Sequence, residues 1–131
     1  MTHAVRDLTL RRRGGTRIVR AVTGYFCDRC GEVEFDESTD SGDRYAEAGD
    51  QLVLEARART EAVAERLRRA RAALKLTQAE ANQIAGGGHN AFSRYESGRA
   101  TPVAAVIHLF ALLERHPDLL GEVRELASAE R

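Results

Sequence analysis

The sequence predicts an α+β chain, a small β-rich N-terminal domain followed by an all-α domain. Three observations carry that prediction. Residues 5–26 alternate apolar and polar side chains around Gly14-Gly15, the pattern of a hairpin with a glycine turn. From about residue 43 onward, apolar residues recur at helical spacing instead. Within that second half, Leu76-Thr77-Gln78-Ala79-Glu80 reads as a helix start, and Gly86-Gly87-Gly88 as a turn between two short helices.

In the N-terminal part, Val5, Leu8 and Leu10 are the apolar positions before the turn, and Ile18, Ala21 or Val22, Tyr25 and Phe26 those after it. Cys27-Asp28-Arg29-Cys30-Gly31 follows as a tight knuckle, and Val33 and Phe35 alternate with glutamates as a short third strand. The polar run at 36–43 reads as a hinge. These features divide the chain into a β-rich domain over 1–42, a linker helix over 43–59 and a helical domain over 60–131.

The linker helix carries Tyr45, Ala48, Leu52, Leu54 and Ala56 as its apolar stripe. Thr60 suits a cap for the next helix, whose stripe is Val63, Leu67, Ala70 and Leu74. Thr77 and Glu80 have the spacing of a capping box. Thr101-Pro102 suits the start of a further helix, with Val106, Leu109, Phe110 and Leu113 inside it. After His116-Pro117, Leu119, Leu120, Val123 and Leu126 make a last one.

Composition bounds the function. The net charge is zero, but residues 1–27 hold six Arg against one Asp, and residues 28–50 hold two Arg against nine acidic groups. A basic arm, an acidic middle and a basic helix over 51–81 suggest surfaces for different partners, or simply solvated faces. No apolar run approaches the ~18 residues of a membrane span. With no apolar signal core at the start, the cytoplasm is the expected compartment, and Cys27 and Cys30 are expected to be reduced. No nucleophile–base pair stands out, and the triple glycine lacks the Lys and Ser/Thr of a phosphate loop, so no enzyme is predicted.

On a helix beginning near Gly88, the residues His89, Asn90, Ser93, Arg94 and Ser97 share one polar face without a carboxylate, while Phe92 and Tyr95 lie opposite. Asn pairs bidentately with adenine and Arg with guanine in a major groove, which makes Asn90 and Arg94 candidate base readers. Asn90 also suits a helix cap, His89 a phosphate or water contact, and Arg94 a solvated surface.

Residues 60–115 resemble the Xre/Cro/repressor-type helix-turn-helix family. The resemblance rests on Arg71 seven residues before Gln78, the Leu-Thr-Gln start, Ile84 before the turn, Phe92, and Tyr95-Glu96-Ser97-Gly98. It implies a five-helix domain in which His89, Asn90 and Arg94 read bases. Gln78 then contacts the DNA backbone, with Thr77, Ser93, Ser97 and Arg99 supporting. Arg66, Arg68, Arg69 and Lys75 are further phosphate candidates. Arg71 and Glu96 form a structural ion pair.

The chain as a whole is similar to the MqsA family of antitoxins from type II toxin–antitoxin systems. Gly24-Tyr25-Phe26-Cys27-Asp28-Arg29-Cys30-Gly31-Glu32, Gly86-Gly87-Gly88-His89-Asn90-Ala91-Phe92-Ser93-Arg94-Tyr95-Glu96-Ser97-Gly98, and Leu113-Glu114-Arg115-His116-Pro117-Asp118-Leu119-Leu120 carry the resemblance. It implies a homodimer whose C-terminal domain represses a promoter at a palindromic DNA operator, and a zinc-ribbon-like N-terminal domain that neutralises a toxin. The sequence departs from the family at the metal. The first Cys-x-x-Cys of the pattern, expected before the first strand, is missing, either because the sequence starts downstream of it or because the lineage has lost it, so Cys27 and Cys30 are half of a Zn2+ site that His3 could join from the N-terminus. Two alternatives follow: an antitoxin acting chiefly by protein–protein binding, or a solo regulator that has lost toxin and zinc. A redox role for the cysteines lacks the usual βαβ setting.

Overall fold

The structure is a computed structural model that describes residues 1–129. Its class is α+β, a three-stranded antiparallel sheet followed by five α-helices. The chain forms two compact units, Met1–Ala58 and Arg59–Arg131.

In the first unit, β1 (Thr2–Arg12) and β2 (Gly15–Phe26) make the hairpin, and β3 (Val33–Phe35) pairs with the far end of β2. The turn is Arg13-Gly14, one residue earlier than the glycine pair suggests. Both residues take positive φ, 52° and 80°, as a two-residue turn matching the strand twist requires, and Gly15 already pairs with Arg12.

A bulge sets which residues face inward. Arg6 pairs with Val22 and Leu8 with Val19, so Arg20 and Ala21 together stand opposite Asp7. Ala21 adopts φ 52°, and its N–H donates to Asp7 Oδ1 at 2.8 Å. The extra residue shifts the alternation, and Val19, Val22 and Phe26 are buried. Ile18 and Tyr25, apolar positions of the same alternation, are 53% and 42% exposed, and Val5 also faces solvent.

Helix α1 (Ser41–Ala73) supplies the other half of this core from its N-terminal part. Ala48 and Leu52 bury with Leu10, Val19, Val22 and Phe26, and Tyr45 and Phe35 pack beside them. Ser41 is buried and accepts the Thr23 N–H at 2.9 Å, which ties the helix start to β2. Leu54 points outward, because two residues past Leu52 is about 200° around a helix.

The linker helix and the first helix of the second unit are one element. Thr60 lies inside α1 and starts nothing. No Gly or Pro occurs between residues 50 and 85, and a lone threonine does not stop a helix. The real stop is at Lys75, with φ 56°: Lys75 N–H donates to the Ala72 carbonyl at 3.1 Å and Leu76 N–H to the Arg71 carbonyl at 3.1 Å, a Schellman closure that turns Leu76 into the core.

The second unit adds α2 (Gln78–Ala85), α3 (Ala91–Glu96), α4 (Ala104–Arg115) and α5 (Leu120–Ala129), with a 3-10 turn at Pro117–Leu119 before the last. α4 starts after Val103, slightly later than Thr101-Pro102 suggests. Leu67, Ala70, Leu74, Leu76, Ala81, Phe92, Val106, Phe110 and Leu113 form one core. Phe92 sits at its centre, 0% exposed, with its ring 4.8 Å from that of Phe110.

Candidate nucleic-acid interface

The short α2–turn–α3 segment is fixed at each joint. α2 opens with a capping box: Thr77 Oγ1 accepts the Glu80 N–H at 3.1 Å, and Glu80 Oε1 accepts the Thr77 N–H at 3.1 Å. These bonds to Thr77, with the charge of Arg124 at 3.0 Å, hold the Glu80 carboxyl below its ordinary range. At the other end Gly86, with φ 76°, donates its N–H to the Asn82 carbonyl. Gly87 is required for a different reason. A Cβ there would lie 2.8 Å from both Ala91 Cβ and the Tyr95 hydroxyl, so the turn passes closer to α3 than any side chain allows.

One side chain joins the two short helices, and the sequence reading missed it. Asn82 Nδ2 donates to the His89 carbonyl at 2.6 Å, and Asn82 Oδ1 accepts the Phe92 N–H at 2.7 Å. An asparagine four residues before Gly86 on a helix otherwise reads as surface. Its one legible signal is its place beside the glycine turn.

The far end of α3 is held by Glu96. Its side chain is 6% exposed and receives Arg71 Nε at 2.6 Å, an Arg71 guanidinium nitrogen at 3.3 Å and the Gln78 amide. Arg68 donates to the Glu96 carbonyl at 2.7 Å. A buried carboxylate is tolerated when it is paired and hydrogen-bonded in this way. Gln78 is therefore half-buried on Glu96 rather than extended into solvent. Arg68 also meets Glu61 and Glu65, and Arg69 meets Glu114 at 3.4 Å.

What remains outside is the polar face of α3. His89, Asn90, Ser93, Arg94, Ser97 and Arg99 are all exposed. Asn90 occupies the N-cap position of α3 but makes no capping bond with its side chain. Arg94 is one helical turn further on, and Ser97 Oγ donates to its carbonyl at 3.2 Å. Among the described residues the side chains of His89, Asn90, Arg94 and Arg99 have no hydrogen-bond or ion-pair partner. Beside this face an open groove of about 340 Å3 is lined by Ala79, Asn82, Gln83, Gly86, Gly88 and His89.

The cysteines lie in the other unit. Cys27 follows β2 and is half-buried, and Cys30 is exposed. Hydrogen bonds from the Cys30 and Arg29 backbone, then from the Cys30 side chain, lower the Cys27 thiol from its ordinary value. His3 does not join them: its Nε2 lies 2.9 Å from Asp36, and its ring meets the edge of Tyr25. Among the described residues no three His, Cys, Asp or Glu are grouped so as to hold a metal ion. A tetrahedral zinc needs four ligands, so the residues present do not fit it.

The family model described as the antitoxin component of bacterial toxin–antitoxin systems, MqsA, matches residues 1–124. This chain belongs to the MqsA antitoxin family. It is similar to Antitoxin MqsA of Escherichia coli (strain K12), with 36% identity over 126 residues, covering 95% of this chain and 92% of that protein. The MqsA match thus takes in both the sheet and the glycine turn with its exposed helix. Among the described residues no helix is long and apolar enough to cross a membrane.

Proposed function

We propose that this chain is a sequence-specific DNA-binding antitoxin that, as a homodimer in the cytoplasm, represses its own toxin–antitoxin operon at a palindromic operator. The single observation that carries this reading is the pair Asn90 and Arg94: exposed, one turn apart, without protein partners, and mounted on a helix whose opposite side is locked by Phe92 and Glu96. A side chain that reads a base edge must be free of internal bonds and carried on a backbone that is held in place; these two are free, and Phe92 and Glu96 anchor their helix.

In this helix-turn-helix reading α3 enters the major groove, Asn90 pairs with an adenine, and Arg94 with a guanine. His89 reaches a flanking base. Ser93, Ser97 and Arg99 line the groove, and Thr77 and Gln78 at the start of α2 lie where such domains meet the phosphate backbone. Exposed Arg66, Lys75 and Arg99 have no ion pair among the described residues and favour phosphate, whereas Arg68 and Arg69 already face carboxylates. Leu112 and Leu126, 53% and 63% exposed on α4 and α5, support a subunit contact in the C-terminal unit.

Family membership favours a second, compatible role: the same chain binds and neutralises a cognate toxin, with the N-terminal unit as the binding surface.

Selection of bound duplexes from a random pool tests the DNA reading. Recovery of an inverted repeat with an adenine and a guanine in each half-site is the expected result. Recovery of unrelated sequences bound with equal affinity would refute it.

A further inference from the structure

The knuckle at 27–31 holds both cysteines of the chain on one short turn, and among the described residues no further ligand group joins them. Its backbone is closed from both sides: Gly31 N–H donates to the Cys27 carbonyl at 2.9 Å, and Cys27 N–H donates to the Glu32 carbonyl at 3.0 Å. Between those bonds stand the two cysteines, three residues apart on one closed turn. Both reach solvent. The neighbouring ligand types are committed elsewhere, Asp28 to Arg6 at 3.3 Å and His3 to Asp36 at 2.9 Å. The unit also has an apolar core of its own around Leu10, Val22, Phe26 and Leu52, and neither sulfur belongs to it.

We propose that Cys27 and Cys30 are a metal-free dithiol that closes into an intrachain disulfide when a peroxide is the oxidant, and reopens with a thiol reductant. In closing, the two thiols give up two protons and two electrons. The S–S bond forms and the peroxide O–O bond breaks, leaving two waters from hydrogen peroxide, or one water and one alcohol from an alkyl hydroperoxide. The three-residue step between the cysteines, pinned by the two backbone bonds, keeps the sulfurs together so that the intrachain bond outcompetes cross-linking of two chains. This places a reversible covalent switch at the end of β2, next to the strand pairing of Thr2 with Phe26.

The test uses the whole 131-residue chain, expressed with zinc in the medium and purified without chelator. Elemental analysis is expected to find less than about a tenth of a zinc per chain, against the one that a four-ligand site would hold. A thiol reagent is expected to titrate two thiols in the native protein. After one equivalent of hydrogen peroxide both thiols are expected to be gone, with a mass lower by two hydrogens and single-chain migration on a non-reducing gel, and dithiothreitol restores them. The double variant Cys27→Ser/Cys30→Ser is expected to melt with the reduced parent, and EDTA to leave both unmoved. Stoichiometric zinc, whether one per chain or one shared by two chains, would overturn the proposal. So would peroxide-treated protein that keeps its thiols or runs as a cross-linked dimer, or a double variant that fails to fold.

Discussion

Asn82 on α2 accepts the backbone N–H of Phe92 on α3 at 2.7 Å. With its other amide atom it holds the His89 carbonyl at 2.6 Å, so a single side chain brackets the segment that carries Asn90. Glu96 does the same work at the far end of α3 through Arg71 and Gln78. The six-residue helix is thus held at both ends by polar groups and in the middle by Phe92. A helix this short has little stability of its own, so these attachments determine its orientation.

Replacing Asn82 by Ala removes both bonds and leaves the Phe92 N–H without its partner. The expected cost is about 1–3 kcal/mol of stability, read from urea or thermal unfolding. DNA affinity is expected to fall by a similar factor on every duplex, because the base-reading groups remain but are no longer held. A loss confined to one base pair would instead make Asn82 a reader.

Gly87→Ala is expected to destabilise the C-terminal unit by about 1–3 kcal/mol, since its Cβ would meet Ala91 and the Tyr95 hydroxyl at 2.8 Å. Adding Tyr95→Phe removes one of the two clashes. The double variant is therefore expected to recover part of the loss, and strictly additive melting shifts would show that the hydroxyl is not the obstacle.

Asp36 in the N-terminal unit gives a pH signature. Hydrogen bonds from the Ser38 side chain, the His3 ring and the Ser38 backbone hold its carboxyl at about 2, below the ordinary 3.8. A depressed folded value means that the stabilisation is complete above pH 3.8 and is lost as pH falls from there through about 2. Asp36→Asn abolishes that component. The gap in melting temperature between parent and variant is expected to be widest above pH 4 and to close across this window. A gap that stays constant with pH would show that the Asp36 charge is not involved.

Much of this was legible in the sequence, and the misses share a cause. The capping box, the glycine turn and the buried stripes of α1 and α4 depend on residues close together in the chain, and pattern reading finds them. The inward face of β2 depends on a bulge opposite Asp7, a cross-strand event, so the alternation alone does not show that Ile18 and Tyr25 face solvent. Thr60 carried a cap-like signal that an unbroken run of helix formers overrode. Asn82 was missed because its two partners lie seven and ten residues away, across the turn, where no periodicity points. The bond from Gln78 to Glu96 spans eighteen residues, so no local pattern points to it.

The most direct measurement compares the parent chain with Arg94→Ala on the selected operator and on each of its single-base variants. For the parent, changing the guanine opposite Arg94 is expected to cost about 1–3 kcal/mol; for Arg94→Ala the four bases at that position bind alike, while preferences elsewhere survive. If Arg94→Ala instead binds every duplex more weakly by one common factor and keeps the parent's preferences intact, Arg94 supplies only general attraction to phosphate, and the exposed face of α3 is not what reads the sequence.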